Sequence, residues 1–331
     1  VTNSLIKTVG ARVTGIERGF MGMIERRSRP LDSEAVAGIL NQGGTILGTH
    51  NFANPFSCNG VDVSDKVMEY VRELGLDALV AIGGDGTMSI ANRFTPLGLP
   101  VVGVPKTIDN DLMHTERTFG FDSAVAIVAE ALARLETTAR SHGRVMVLET
   151  MGRYAGWIAL EGGLAGGADI ILIPEKPYDL NEVIRVCKER EKKQGYTLIC
   201  IAEGARPIDG GMVVAKHLEN SPDPIRLGGV GNVLRQQLEQ HLESEVRTTQ
   251  LGHVQRGGTP TPYDRVLATR FGWYAAKMVA NGEFGRMVAL KGDECTSVPI
   301  EEVANRTRNV PDDSTLLDVA TSLGISLGQP A

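Results

Sequence analysis

The sequence is poor in cysteine, carries no excess of positive charge and has no long apolar run, and each absence excludes a class of protein. Its four cysteines, Cys58, Cys187, Cys200 and Cys295, are scattered without a C-x-x-C pair. Neither a disulfide framework nor a zinc site is therefore expected, and a reducing compartment fits best. A net charge of −6 leaves no basic field that would attract nucleic acid or an anionic membrane.

The sequence also lacks the signals of export and membrane insertion. No apolar stretch approaches the roughly 20 residues that span a bilayer, and no signal peptide is recognisable. The expected location is the cytoplasm. Without a general basic field, an anionic substrate has to be held by local clusters of arginine and lysine.

Short runs rich in valine and isoleucine alternate with amphipathic segments along the 331 residues, a length that suits two domains. We predict strands at 11–16, 78–82, 101–104, 144–148, 169–173, 197–202, 247–251 and 287–290. We predict helices at 33–40, 66–74, 122–138, 155–164, 180–194, 233–242 and 264–280, and a polar tail from residue 300 that wraps the surface. This alternation is typical of an α/β protein with parallel sheets covered by helices.

Two acidic turns follow neighbouring predicted strands, GGDGT at 83–87 and PKTIDND at 105–111. Because ligands of open α/β sheets bind beyond the carboxyl ends of the strands, we expect both turns to border one site. The glycines of the first turn let backbone N–H groups approach phosphate oxygens, and Asp85 suits Mg²⁺. The same pattern also fits an ordinary strand–turn–helix connection, since Gly and Asp are common turn residues.

The second turn carries the sharper chemical hypothesis. Asp109 is placed to accept a hydroxyl proton while that oxygen attacks a phosphorus atom. Asp111 either orients Asp109 or joins the metal shell, and Lys106 offers a point charge for phosphate. The alternative is a surface turn rich in Asp and Asn.

Two more polar turns follow predicted strands, ETMGR at 149–153 and GHVQRGG at 252–258. Arg153 and Arg256 are candidates for phosphate or sugar contacts, and His253 for a phosphate or hydroxyl contact. Single Arg or His residues at strand ends are often structural, but four such turns in one chain favour a binding function.

Together these turns resemble those of the 6-phosphofructokinase family, in family order over nearly the whole chain. The matching segments are GGTILGT at 43–49, 83–87, 105–111, FGFD at 119–122, MGR at 151–153, EG at 203–204 and 252–258. The resemblance implies two Rossmann-like three-layer domains with mainly parallel sheets and an active site in the cleft between them. Residues 1–120, with about 257–331 returning to them, would bind the donor, and 121–256 would bind fructose 6-phosphate.

The resemblance further implies Mg²⁺-dependent phosphoryl transfer from ATP to the 1-hydroxyl of fructose 6-phosphate, giving fructose 1,6-bisphosphate in glycolysis. By the match, the catalytic residues are Asp109 as general base, Thr107 at the transferred phosphate, Asp111 and Lys106. The donor residues are Gly83, Gly84, Asp85, Gly86 and Thr87, with Asp85 also at the metal. The sugar is held by Thr107, Asp109, Met151, Gly152, Arg153 and Glu203, and its 6-phosphate by His253 and Arg256.

Arg144 and Arg247 stand near the beginnings of two predicted strands. Without the family resemblance, these two arginines either add positive charge to the same pocket or are solvated surface side chains. In the family resemblance they match arginines that reach the sugar phosphate from a neighbouring subunit. A homodimer or homotetramer with shared active sites is therefore expected.

The chain departs from the family pattern in two places. The family's opening strand and glycine-rich loop have no counterpart before the first residues, which we interpret as the following helix, and the sequence leaves open whether the chain is a fragment. The arginine expected shortly after Gly48-Thr49 is replaced by His50-Asn51-Phe52, in a slightly longer segment. An arginine that would contact both the donor and the acceptor phosphates is therefore not predicted in this segment.

The donor signals are mixed. Gly86 resembles ATP users, because a side chain there would crowd the nucleotide α-phosphate, whereas Lys106 resembles pyrophosphate users. Steric exclusion is the harder constraint, so we favour ATP and keep a pyrophosphate-dependent phosphotransferase as the alternative. Two other hypotheses remain, a non-catalytic sugar-phosphate-binding regulatory paralogue and a dinucleotide or lipid kinase, which the 252–258 turn fits poorly.

Overall fold

Helices and strands alternate through residues 1–217 and 225–330, which are the residues that the computed structural model describes. The helices are α1 Thr2–Val9, α2 Phe20–Glu25, α3 Ser64–Leu74, α4 Asp85–Phe94, α5 Phe121–His142, α6 Trp157–Ala165, α7 Leu180–Lys193, α8 Val230–Leu238, α9 Pro262–Asn281 and α10 Thr315–Ser322. The first strands are β1 Val13–Ile16, β2 Ser28–Leu31, β3 Leu79–Gly83, β4 Val101–Thr107, β5 Phe119–Gly120, β6 Val145–Thr150 and β7 Ile170–Leu172. They are followed by β8 Thr197–Ala202, β9 Val214–His217, β10 Ile225–Leu227, β11 Val246–Gln250, β12 Arg286–Lys291 and β13 Glu294–Pro299.

The first large sheet has the order β13-β12-β4-β3, with β5 beside the last residues of β4. Strands β3, β4, β5 and β12 run parallel, and only β13 is antiparallel. Helices α3 and α4 cover one face through a core that includes Val67, Met88 and Phe94. Helix α9 covers the other face, where Leu267 and Phe271 pack on the strands.

The second large sheet is wholly parallel, with the order β11-β6-β8-β7. Strands β6, β7 and β8 are buried on both faces, as the continuous apolar run LICIA of β8 predicts, whereas β11 is partly exposed. Helices α5 and α6 pack on one face and α7 and α8 on the other. The predicted α/β class with two three-layer units and mainly parallel sheets is therefore confirmed.

The chain crosses between the two layered units three times. The first crossing leads from β5 into α5, and the second from the 3₁₀ turn Gly252–Arg256 into α9. In the third, Val303 packs in the core of the first sheet and Val310 in that of the second. The proposed division at residues 120 and 256 stays a prediction.

Three segments differ from the sequence expectation. Residues 33–40 form turns rather than a helix, because Gly38 adopts a left-handed φ of 70° and the short apolar pattern has no face to cover. Strand β1 pairs antiparallel with β2 outside both large sheets. The tail after residue 300 is not only surface, since Leu317 and Ala320 of α10 are buried against the second sheet's helices. No helix among the described residues combines the length and hydropathy needed to cross a membrane.

Candidate active site

Asn110 holds the turn after β4 in a closed shape. Its side-chain oxygen accepts from the Thr118 backbone N–H at 3.0 Å, and its amide nitrogen donates to the Glu116 carbonyl at 3.2 Å. Its φ of 53° lies in the left-handed region, which Asn tolerates better than most residues. The flanking carboxylates Asp109 and Asp111 are thus carried on a fixed turn. We did not single out Asn110 from the sequence, although an Asn between two Asp residues is itself a turn signal.

Asp109 lies where groups from both sheets meet. Burial raises its pKa, while the positive charge of Arg256 is the largest opposing effect. A hydrogen bond from Thr107 and the charges of Lys106 and Arg153 oppose the rise as well. Thr107 ends β4, and its Oγ1 accepts the Asp109 backbone N–H at 3.1 Å. A carboxylate with a raised pKa that still has cations around it suits a proton acceptor.

Two further carboxylates belong to the acidic turns. Burial raises the pKa of Asp111 to about 7, with contributions from the charges of Asp109 and Asp85. Burial also raises the pKa of Asp85, the first residue of α4. Asp85 Oδ1 accepts from the Ser89 hydroxyl at 3.3 Å and from the Asn305 backbone N–H at 3.2 Å. The structure therefore brings the acidic residues of the two predicted turns into one electrostatic group.

The glycine turn at 83–87 meets the aspartate turn directly. A Cβ added to Gly84 would lie 3.4 Å from Thr107 Cβ, so the two turns are in contact. Thr87 folds its side chain back over Gly83, where an added Cβ would be 2.1 Å from Thr87 Oγ1. A Cβ on Gly86 would meet no atom within 4 Å, so space is open in front of this residue.

Cationic side chains lie near Asp109. Burial and the neighbouring Arg256 lower the pKa of Lys106, and the Asp109 charge partly offsets this. Arg256 is an exposed residue at the end of the 3₁₀ turn that follows β11. Arg153 follows β6, and its guanidinium lies 5.6 Å from the centre of the Tyr154 ring.

The Gly152-Arg153 turn packs on the Glu203-Gly204 turn that follows β8. The Gly204 N–H donates to the Gly152 carbonyl at 3.1 Å, and a Cβ on Gly204 would lie 1.9 Å from the Arg153 carbonyl oxygen. Burial raises the pKa of Glu203, which the Arg153 charge opposes and the Asp109 charge favours. Glu203 and Arg153 therefore belong to the same site as Asp109.

We expect Gly204→Ala to destabilise the protein by about 2–3 kcal/mol, because its methyl group would overlap backbone that moves only with the Arg153 turn. The measurement is the free energy of unfolding in denaturant. Gly211→Ala is the matched control, since a Cβ there meets no atom within 4 Å. Equal stability of the two variants would contradict the close packing of the turns.

Gln255 joins the turns after β6 and β11. It is buried, its side-chain oxygen accepts from the Met151 backbone N–H at 3.2 Å, and its amide nitrogen donates to the Gly252 carbonyl at 3.1 Å. The exposed His253 belongs to the same 3₁₀ turn as Gln255. Gln255 was missed in the sequence because its partner lies 104 residues away.

Comparison with known proteins identifies the family. A family model described as phosphofructokinase matches residues 1–279. The chain belongs to the phosphofructokinase family. An ATP-dependent 6-phosphofructokinase 2 of Clostridium perfringens (strain 13 / Type A) is 48% identical over 98% of this chain and 92% of the relative. A pyrophosphate–fructose 6-phosphate 1-phosphotransferase of Streptomyces coelicolor is 48% identical over 92% of this chain and 89% of the relative.

The fold of this chain is also found in solved structures. A pyrophosphate-dependent phosphofructokinase from Marinobacter aquaeolei superimposes with a TM-score of 0.80, over 98% of this chain and 84% of that one. At 21% identity this likeness concerns the fold alone. The relatives' names include both ATP and pyrophosphate, so the family supports either phosphoryl donor.

Two residues that are predicted to bind the sugar phosphate lie away from Asp109. Arg144 precedes β6 and Arg247 is near the start of β11, so both lie at the amino ends of these parallel strands. Met151 lies beyond the carboxyl end of β6. At about 3.3 Å per strand residue, the amino ends of the strands are roughly 20 Å from the turn that carries Met151. Both arginines pair with Glu245, Arg144 at 2.5 Å. Within one chain they do not join Asp109.

The acidic group fits a magnesium ion. Asp111 Oδ1 is buried and accepts no hydrogen bond, and Asp85 is close enough to affect its pKa. In the described ranges, no group of three or more His, Cys, Asp or Glu side chains is arranged to hold a metal. Mg²⁺ is usually bound by one or two carboxylates together with substrate phosphates, which is what Asp85 and Asp111 offer.

Proposed function

We propose that the protein is a cytoplasmic 6-phosphofructokinase that transfers the γ-phosphoryl group of ATP to the 1-hydroxyl of fructose 6-phosphate. One observation carries the proposal: Asp109 is coupled to Lys106 on its own turn and to Arg153 and Arg256 from the second sheet. A carboxylate base that faces cations across a cleft is what transfer between two phosphorylated substrates requires. The named relatives support the same activity.

The mechanism uses the chain's own groups as follows. Asp109 accepts the proton of the sugar 1-hydroxyl while the hydroxyl oxygen bonds to the γ-phosphorus atom. The bond between that phosphorus and the bridging oxygen breaks, and ADP leaves with the electron pair. Lys106, Thr107 and Arg153 stabilise the charge on the transferred group.

Asp85 and Asp111 are the residues that would hold Mg²⁺. The ion supplies charge neutralisation for the donor phosphates. The buried, unpaired Asp111 Oδ1 supports this assignment, because a buried carboxylate oxygen without a partner is costly. The donor phosphates would lie over the 83–87 turn, where Gly86 leaves open space and α4 begins.

The sugar side is proposed to consist of residues from the second sheet's turns: Met151, Gly152, Arg153, Glu203, His253 and Arg256. Their turns are joined by Gln255 and by the contact of Gly204 with Arg153. Arg153 and Arg256 offer planar guanidinium donors that suit phosphate and hydroxyl oxygens.

A coupled assay of the full-length protein with fructose 6-phosphate tests the function and the donor together. We expect turnover with ATP, and kcat/KM at least tenfold lower with pyrophosphate. The Asp109→Asn variant gives the background rate of the assay. Activity confined to pyrophosphate would favour the second candidate, a pyrophosphate-dependent phosphotransferase, which the position of Lys106 beside Asp109 supports. No turnover with either donor would favour the non-catalytic paralogue.

We further propose that Arg144 and Arg247 bind the 6-phosphate in the active site of a neighbouring subunit of a homodimer or homotetramer. Their position at the amino ends of β6 and β11 supports this, because neither side chain can reach Asp109 of its own chain. Their pairing with Glu245 keeps both guanidinium groups together at the surface until phosphate competes for them.

Subunit mixing tests the shared site. When Asp109→Ala and Arg247→Ala chains are coexpressed, a mixed dimer has one site with both residues intact, so we expect roughly a quarter of wild-type activity from random assembly. The assay uses a low concentration of fructose 6-phosphate, at which each variant alone is weak. Asp109→Ala mixed with Arg153→Ala is the control, since those two residues share one chain's cleft and nothing is restored. Equal recovery in both mixtures would rule out the shared site.

A further inference from the structure

The third crossing between the sheets, residues 305–310, lies between the two halves of the candidate active site and is not used in the proposed mechanism. We call these six residues the strap. Val303, just before it, packs in the first-sheet core, Ala304 is buried, and Val310 at its end packs in the second-sheet core. The strap therefore connects two packed bodies that each carry half of the site.

On the donor side, the strap bonds to both acidic turns. The Asn305 backbone N–H donates to Asp85 Oδ1 at 3.2 Å and is also 3.0 Å from Ser89 Oγ. The Arg308 backbone N–H donates to the Asp111 carbonyl at 2.8 Å. Arg308 Nη1 donates to the Asn110 carbonyl at 3.0 Å. Arg308 thus forms hydrogen bonds to the Asp109 turn with both its backbone and its side chain.

On the sugar side, the same residue is held by Trp157, the first residue of α6. Trp157 Nε1 donates to the Arg308 carbonyl at 2.8 Å, and the Arg308 guanidinium lies 4.2 Å from the centre of a Trp157 ring. A cation this close to an indole face is strongly attracted to it. The next anchor is Glu175, which accepts from both Val310 N–H and Gly156 N–H at 2.9 Å.

We propose that Arg308 is a positioning residue, which fixes the Asp109 turn relative to the sugar-binding turn after β6. Only two residues separate Gly156 and Trp157 from the Met151–Arg153 segment, so the chain of contacts runs from Asn110 through Arg308 to the sugar side. In this proposal Arg308 is assigned no contact with either substrate. This role rests on the proposed function, although the contacts that define it do not.

The physical reason is the sensitivity of phosphoryl transfer to distance. Reacting atoms have to approach to about 3–3.5 Å, and a misplacement of 1 Å can cost about a hundredfold in rate. Asp109 sits next to Asn110, whose left-handed φ is maintained by its partners. Loss of the Arg308 side chain removes the hydrogen bond to the Asn110 carbonyl and also the contact with the Trp157 ring. Lys keeps a charged donor but not the planar guanidinium.

The test compares Arg308→Met, Arg308→Lys and the matched control Arg306→Met, which removes the same charge from an exposed residue of the strap. For Arg308→Met we expect kcat to fall roughly tenfold to thirtyfold, somewhat less than a full 1 Å misplacement would cause. We expect KM for fructose 6-phosphate to stay within about twofold, because the second-sheet contacts remain. Arg308→Lys should recover part of the loss, and Arg306→Met should resemble wild type.

Three results would overturn the proposal: normal kcat in Arg308→Met, an equal loss in Arg306→Met, or a fall in kcat matched by a rise in KM. A measurement independent of activity is hydrogen exchange of the peptide that covers residues 105–118. Exchange should be faster in Arg308→Met than in Arg306→Met, and no difference would again refute the role. If the wild-type protein fails to turn over, the proposed function falls, and hydrogen exchange still decides the role of the strap.

Discussion

Asp109→Ala should lower kcat by about three to four orders of magnitude, the upper part of the range for loss of a general base. Fructose 6-phosphate should still bind. Asp109 is a negative charge among Lys106, Arg153 and Arg256, so its removal leaves those cations to attract the sugar phosphate more strongly. The dissociation constant, measured by calorimetry, should be equal to that of wild type or smaller.

Asp109→Asn is the stricter form of the same experiment. The amide keeps the size of the side chain and can accept from Thr107, but it cannot take up the hydroxyl proton. A similar loss in both variants assigns the defect to proton transfer. Near-normal turnover in either variant, or recovery of turnover at high Mg²⁺ concentration, would remove Asp109 from the role of base.

Gly86→Asp should reduce kcat/KM with ATP by about a hundredfold or more, because a carboxylate placed against the nucleotide α-phosphate costs several kcal/mol of like-charge repulsion. Pyrophosphate has no phosphate in that position, so its use should fall less than tenfold. The fold should tolerate the change. A Cβ at this position meets no atom within 4 Å, and an acidic side chain in the first turn of a helix is favourable.

Gly86→Asn separates the two parts of this effect, since it adds nearly the same volume without charge. A loss shared by both variants points to steric exclusion, and a loss confined to Asp points to charge. Equal losses with ATP and pyrophosphate would contradict the placement of the nucleotide over Gly86.

The parts of the site that follow strands could be predicted from the sequence. Asp85 and Asp109 follow β3 and β4, and because these strands pair in parallel, their turns had to meet at one edge. The apolar runs identified most strands of the second sheet for the same reason, since buried parallel strands have few polar residues. The roles of the individual site residues remain predictions until the variants are assayed.

The residues that hold those turns in place could not be predicted. Arg308 contacts Asn110 across 198 residues of sequence, and Gln255 contacts Met151 across 104. Such contacts leave no periodic pattern, because they depend on where three chain crossings bring distant segments together. The predicted helix at 33–40 failed for a related reason: its local pattern resembled a helix, but no packed surface was there to stabilise it.

The order in which the cores are completed has a consequence for synthesis of the protein. The core around α5 and α6 includes Val310, Leu317 and Leu327, which leave the ribosome long after the strands that they cover. Until then, apolar surface of α6, against which α10 packs, stays open to other nascent chains or chaperones. A polypeptide released before residue 310 should therefore aggregate rather than yield a stable half-molecule.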